Sequence, residues 1–164
     1  MNRTTPFASL LLCTVLLAVP AHADELECNG RMGRVSIDGD VRVPSGRSCT
    51  LNGTRIDGNI EVGRSASLMA RGVKVDGNIQ AEGARQVAVS NSRVGGNIQL
   101  DRSGAVRIES VDVDGDIQLF SNRGALRVSR NRVDGNLQCK SNQRAPTGGG
   151  NRVRGNKEDQ CAGL

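Results

Sequence analysis

The chain has 164 residues, 22 of them basic and 17 acidic, with 37% apolar residues, 21 glycines, two phenylalanines and neither Trp nor Tyr. That length suits one domain, the glycine content argues against a helical bundle, and the regularly spaced Val and Ile argue against disorder. No apolar run reaches the ~18 residues that mark a membrane-spanning helix.

Met1–Ala23 has the three parts of a secretory signal in order: Arg3, the apolar stretch Phe7–Val19, and the small-x-small site Ala21-His22-Ala23. Cleavage after Ala23 and a secreted protein, periplasmic or extracellular, are the expectation; a buried N-terminal helix is the alternative. A lipid on Cys13 is set aside, because bulky Leu12 precedes it and the apolar run continues past it. The mature residues 24–164 form one domain with 21 basic and 17 acidic side chains and no histidine. They keep Cys28, Cys49, Cys139 and Cys161, an even set that points to disulfides in an exported chain. A zinc site would want close C-x-x-C pairs, and the chain has none.

From residue 37 onward one phrase recurs seven times: Ile37–Val41, Ile56–Ile60, Val75–Ile79, Val94–Ile98, Val113–Ile117, Val133–Leu137 and Val153–Lys157. Its pattern is apolar-Asp-Gly-Asn/Asp-apolar, broken at Gly95, Arg154 and Lys157, with spacings of 19, 19, 19, 19, 20 and 20 residues. Leu68, Val87, Val106 and Leu126 stand seven residues before a phrase, and Ala70, Val89, Ile108 and Val128 two residues further on. Such alternation is the period of a half-buried strand, not of a helix. Each unit holds three strand-like pieces, for example Leu68–Ala70, Val73–Val75 and Ile79–Ala81. A unit this small cannot bury its own apolar residues and must stack on its neighbours. The fold class is therefore all-β, a parallel β-solenoid of about seven coils. The general handedness of parallel crossovers points to a right-handed coil. The phrase glycine is expected to turn a corner with positive φ, and the Asn or Asp after it to bond the turn and to stack along the axis.

The repeat also selects the disulfides. Cys28 and Cys49 are 21 residues apart and Cys139 and Cys161 are 22 apart, each close to one coil. Pairing one end with the other would have to cross almost five coils, roughly 23 Å, far beyond the reach of a disulfide. Cys28–Cys49 and Cys139–Cys161 should staple the two ends.

The tail carries three motifs: Gly135-Asn-Leu-Gln-Cys139, Pro146-Thr-Gly-Gly-Gly-Asn151 and Gly155-Asn-Lys-Glu-Asp-Gln-Cys161. In these it resembles a family of secreted bacterial proteins with no established activity. The repeat as a whole resembles the right-handed β-helix proteins. The chain also shares its architecture with the bactofilin-like and curli-like solenoids, which assemble. The resemblance implies a fold and supplies no site, and architecture does not give function.

Without histidine, and with its cysteines oxidised, the mature chain has no Ser–His–Asp or Cys–His nucleophile system. A polysaccharide lyase or hydrolase would need convergent carboxylates and, usually, aromatic platforms; the carboxylates here recur as a ladder and only Phe120 remains. No enzyme and no cofactor are expected. Asp112, Asp114 and Asp116 form a calcium candidate, although Gly115 comes too early for an EF-hand loop and Arg123 stands where the closing Glu belongs.

Three outward ladders follow from the period. Arg55, Lys74, Arg93, Arg132 and Arg152 precede the phrase's first apolar residue, and Asp57, Asp76 and Asp134 follow it. Glu61, Gln80, Gln99, Gln118 and Gln138 lie between the apolar residues of the last strand. Arg107, Arg127 and Arg130 make a basic patch suited to a polyanion. The expected role is a structural or scaffold element of the envelope or extracellular space, with possible self-association. The alternative is a module that binds an anionic polysaccharide or other envelope polymer, not nucleic acid, and nothing here spans a membrane.

Overall fold

The computed structural model describes residues 25–164. The secretory segment Met1–Ala23 lies outside the described residues. No helix among those described is long and apolar enough to cross a membrane.

Alternating apolar residues bounded by tight turns fold here as short parallel strands, and the chain winds into a β-solenoid of about seven turns with three strands in each. The first face has eight strands: Glu25–Glu27, Asp40–Val43, Ile60–Val62, Ile79–Glu82, Ile98–Asp101, Ile117–Phe120, Leu137–Lys140 and Lys157–Asp159. The second face has seven, from Gly30–Met32 through Ser67–Arg71 and Gln86–Ser90 to Thr147–Gly149. The third face is a ribbon of two-residue strands, from Ser36–Ile37 through Lys74–Val75 to Arg152–Val153.

Every pairing is parallel and joins equivalent residues of successive coils. Val41, Ile60, Ile79, Ile98, Ile117 and Leu137 form one inner column in register. Each is completely buried. Burying a side chain of this size contributes ~1.5–3 kcal/mol, so the column is a large part of what holds the coils together. No coil could supply that burial alone.

Both disulfides are as the repeat required. Cys28–Cys49 and Cys139–Cys161 join neighbouring coils at Cα separations of 5.6 and 5.2 Å. All four cysteines are buried in the core, and such bridges suit an oxidising extracellular or periplasmic setting. At the C-terminal end the core tapers, because Gly148 stands in register with inward Val128. A turn through Cys161 and the partly buried Leu164 then closes the end.

The phrase glycine corrects the sequence argument. Gly58, Gly77, Gly96, Gly115, Gly135 and Gly155 do not have positive φ, nor do the Asn and Asp residues that follow them. The left-handed residues sit in the other two turns of the coil, at Gly72, Asn91, Ser110 and Arg130 after the second face and at Gly83, Arg102, Ser121 and Ser141 after the first. Close approach is what demands glycine in the phrase. A Cβ on Gly77 would stand 2.5 Å from Asn59 Oδ1 and 2.7 Å from the Gly58 carbonyl oxygen. The amide of the preceding coil occupies that space.

The asparagine ladder is present as expected along the axis. The backbone N–H groups of Asn78, Asn97 and Asp116 donate to the side-chain Oδ1 of Asn59, Asn78 and Asn97, at 2.9, 2.7 and 2.7 Å. A second set of asparagines escaped sequence reasoning. Asn122, Asn131, Asn142 and Asn151 are buried inside the turns. Asn131 Oδ1 accepts the Val111 N–H at 3.0 Å while its Nδ2 donates to the Ile108 carbonyl at 2.9 Å, which satisfies turn groups that water cannot reach. The 20-residue repeat of Asn131-Arg-Val in Asn151-Arg-Val was the available signal.

Candidate functional site

On the second face, in-register pairing places Arg107 directly beside Arg127, both exposed. Glu109, two residues along the same strand, holds them both. Arg107 Nη1 donates to Glu109 Oε2 at 3.1 Å, Arg127 Nε donates to Oε1, and Ser129 Oγ donates to Oε1 at 3.3 Å. The hydrogen bond from Arg127 holds the Glu109 carboxyl below the usual range; desolvation opposes it, and the contact with Arg107 adds to it. Arg130 lies in the turn beyond, with φ 55° and an exposed side chain. The structure thus unites Arg107 and Arg127 around a shared carboxylate and leaves Arg130 outside that cluster.

The third face carries the predicted charge ladder, with its neutralisation built in. Lys74 pairs with Asp76 in the same coil, and its hydrogen bond holds the Asp76 carboxyl below the usual range. Arg93 Nη2 reaches both oxygens of Asp114 in the next coil, at 3.0 and 2.9 Å. Asp134 is approached by Arg132 at 3.6 Å and by Arg154 at 3.5 Å. Asp112 takes the basic position of its own coil and stands in register between Arg93 and Arg132. An acid between two stacked arginines relieves the repulsion that like charges ~4.8 Å apart would suffer.

Two of the three carboxylates of the calcium candidate are therefore bonded elsewhere. Asp112 belongs to the charge ladder, Asp114 is bonded to Arg93, and Asp116 Oδ1 accepts the Asn136 N–H at 2.6 Å. Among the described residues no three His, Cys, Asp or Glu side chains converge on a metal-sized site.

The first face carries the amide ladder. Gln80, Gln99 and Gln118 each donate from Nε2 to Oε1 of the next glutamine, at 3.1, 3.0 and 3.1 Å. Gln138 extends the series to Glu158 at 2.8 Å. Glu61 is in register with Gln80. Phe120 and the acids Glu82 and Asp101 border a shallow depression of about 390 Å³ over Gln80, Gln99 and Gln118.

The coil geometry sorts charge in a way the linear sequence conceals. The second face and the turns leading into it carry ten arginines and a single carboxylate, Glu109. The rest of the described chain carries eleven basic and fifteen acidic side chains. One flank of the rod is strongly basic and the others are, on balance, acidic. Sequence reasoning found Arg107 and Arg127 on that flank; the turn arginines fall at intervals of 17, 21, 17, 21 and 21 residues rather than at the repeat period.

Fold and surface together define a parallel β-solenoid with side-chain ladders on its first and third faces and one basic flank. Comparison with protein-family models finds none that matches this chain, and no curated protein or solved structure matches it either.

Proposed function

We propose that this chain is an exported, non-enzymatic rod that serves as a structural element of the cell envelope or extracellular space by adhering to anionic polymer there. The observation that carries this reading is the sorting of charge, ten arginines against one carboxylate on a single flank. A field of one sign along a rigid face attracts polyanions and gives weak, multivalent contact that salt screens. The oxidising setting that suits both disulfides favours an envelope or extracellular polymer over a genome. The test is chromatography of the mature protein on an immobilised acidic polysaccharide. Retention that disappears with rising salt is expected, and elution with unretained protein at low salt would overturn the reading. Turnover of the polymer would replace it with a polysaccharide lyase or hydrolase.

A second reading is an assembling scaffold. It is favoured by the strands Glu25–Glu27 and Lys157–Asp159, each paired on one side only, among the described residues, at the two ends of the first face. Such edges can template pairing with another copy. Molar mass by light scattering across a concentration series distinguishes the two: growth without polymer supports assembly, and a constant monomer leaves adhesion alone.

A further inference from the structure

The turns from the first to the second face contain one arginine in each of six successive coils: Arg47, Arg64, Arg85, Arg102, Arg123 and Arg144. All six are exposed. No acidic residue lies in these turns, and the strand residues that flank them include only two, Glu82 and Asp101. Glu82 bonds both Arg64 and Arg102, at 3.0 and 2.7 Å, and Asp101 reaches Arg102 at 3.1 Å. Among the described residues Arg47, Arg85, Arg123 and Arg144 make no ion pair. Arg85 is instead held by hydroxyls, its Nε donating to Ser67 Oγ at 3.0 Å and its Nη2 to Ser48 Oγ at 3.3 Å.

The contrast with the third face is informative. There the same chain inserts Asp112 between stacked arginines and pairs Lys74, Arg93 and Arg132 with carboxylates. In these turns it sets six cations along ~25 Å of rod with little compensation, alternating from coil to coil between two offset rows in which Gly83 separates Arg64 from Arg102 and Ala66 separates Arg47 from Arg85. On the second face proper, Arg107 and Arg127 already share Glu109. Of the six turn arginines, Arg47, Arg85, Arg123 and Arg144 keep their charge uncompensated, while Glu82 and Asp101 take up Arg64 and Arg102.

We infer that this edge of turn arginines is the binding site for an extended acidic polysaccharide lying along the rod axis, its carboxylate or sulfate groups received by Arg85, Arg123 and Arg144 together with their neighbours. This rests on the polymer-adhesion reading above and assigns its site and ligand class. Planar guanidinium groups suit carboxylate and sulfate recognition. Single-stranded nucleic acid is the less suited polyanion, because its binding uses aromatic platforms for the bases and Phe120 is the one aromatic residue in the solenoid.

The test uses the mature protein and three variants on an immobilised polyuronate, with a sulfated polysaccharide and single-stranded DNA of matched charge as competitors. Arg85→Gln/Arg123→Gln/Arg144→Gln should weaken retention by about tenfold or more while the urea midpoint stays near that of wild type. Arg107→Gln/Arg127→Gln/Arg130→Gln should weaken it much less. As a check on specificity for the turn edge, Arg55→Gln/Arg93→Gln/Arg132→Gln should leave it essentially unchanged. If the turn variant binds like wild type, or the Arg107 variant loses as much, the site assignment is overturned while the adhesion reading stands. If wild type itself is not retained at low salt, the adhesion reading fails with it. DNA that competes better than either polysaccharide overturns the ligand class.

Discussion

Asn59 Oδ1 accepts hydrogen bonds from both the backbone N–H and the side-chain Nδ2 of Asn78, at 2.9 and 3.1 Å, one coil further along the rod. The same oxygen occupies the space that a side chain on Gly77 would need. The recurring glycine and the recurring asparagine are thus one device. Glycine opens a gap on the coil, and the amide of the preceding coil fills it and ties the two together.

Gly77→Ala should therefore destabilise the rod by about 2 kcal/mol, in the range that forced overpacking costs. Asn59→Ala removes one of the two clashing groups and leaves the Gly58 carbonyl, which would still stand 2.7 Å from the new Cβ. The alanine at 77 should cost less in the Asn59→Ala background than in wild type. Urea unfolding of the four members of the cycle measures the coupling, and strict additivity would show that the two residues act separately.

Ile79 is completely buried between Ile60 and Ile98, whereas Gln80 beside it points outward and bonds Gln99. Ile79→Asp leaves an unpaired charge in the core and should cost on the order of 3 kcal/mol. Gln80→Asp gives up one exposed amide bond and should cost under ~1 kcal/mol. Equal losses in urea unfolding would invalidate the inward and outward assignment.

The two disulfides should each contribute about 3 kcal/mol, since each closes a loop of roughly 20 residues in the unfolded chain. Peptide mapping without reductant should recover Cys28–Cys49 and Cys139–Cys161. Cys161→Ser should raise hydrogen exchange at Lys157–Asp159 long before it affects Ile98–Asp101, because coils at an end lose one neighbour and those in the middle keep two. Uniform loosening along the chain would contradict this local action.

Glu109 supplies a pH dependence with a definite sign. Its carboxyl is held below the ordinary value of 4.5, chiefly by the hydrogen bond from Arg127, so the folded state binds its proton less readily than the unfolded state does. The resulting stabilisation is fully present above 4.5 and is lost as pH falls through the lower folded value. Glu109→Gln should flatten the decline of the unfolding midpoint in that acid window and leave the slope near neutrality unchanged. The same substitution releases Arg107 and Arg127 for polymer, so low-salt retention on an acidic polysaccharide should rise.

Much of this architecture was legible because a solenoid writes its geometry as a period. One coil equals one repeat, so the spacing of Ile60, Ile79 and Ile98 shows directly which residues stack, and the positions of Cys28, Cys49, Cys139 and Cys161 show which cysteines meet. Inward and outward sides follow from the alternation along each strand, which is why the glutamine ladder was also visible. The tertiary structure alone decided what depends on backbone path within the turns. It placed positive φ away from the phrase glycine, because the neighbouring coil's amide rather than a left-handed turn claims that space. It clamped Arg107 and Arg127 with Glu109, a contact across coils that spacing permits without requiring. It also gathered Arg47, Arg64, Arg85, Arg102, Arg123 and Arg144 on one edge. Their sequence intervals vary because the arginine changes its place within the turn from coil to coil, while the strands on either side keep every turn on the same edge.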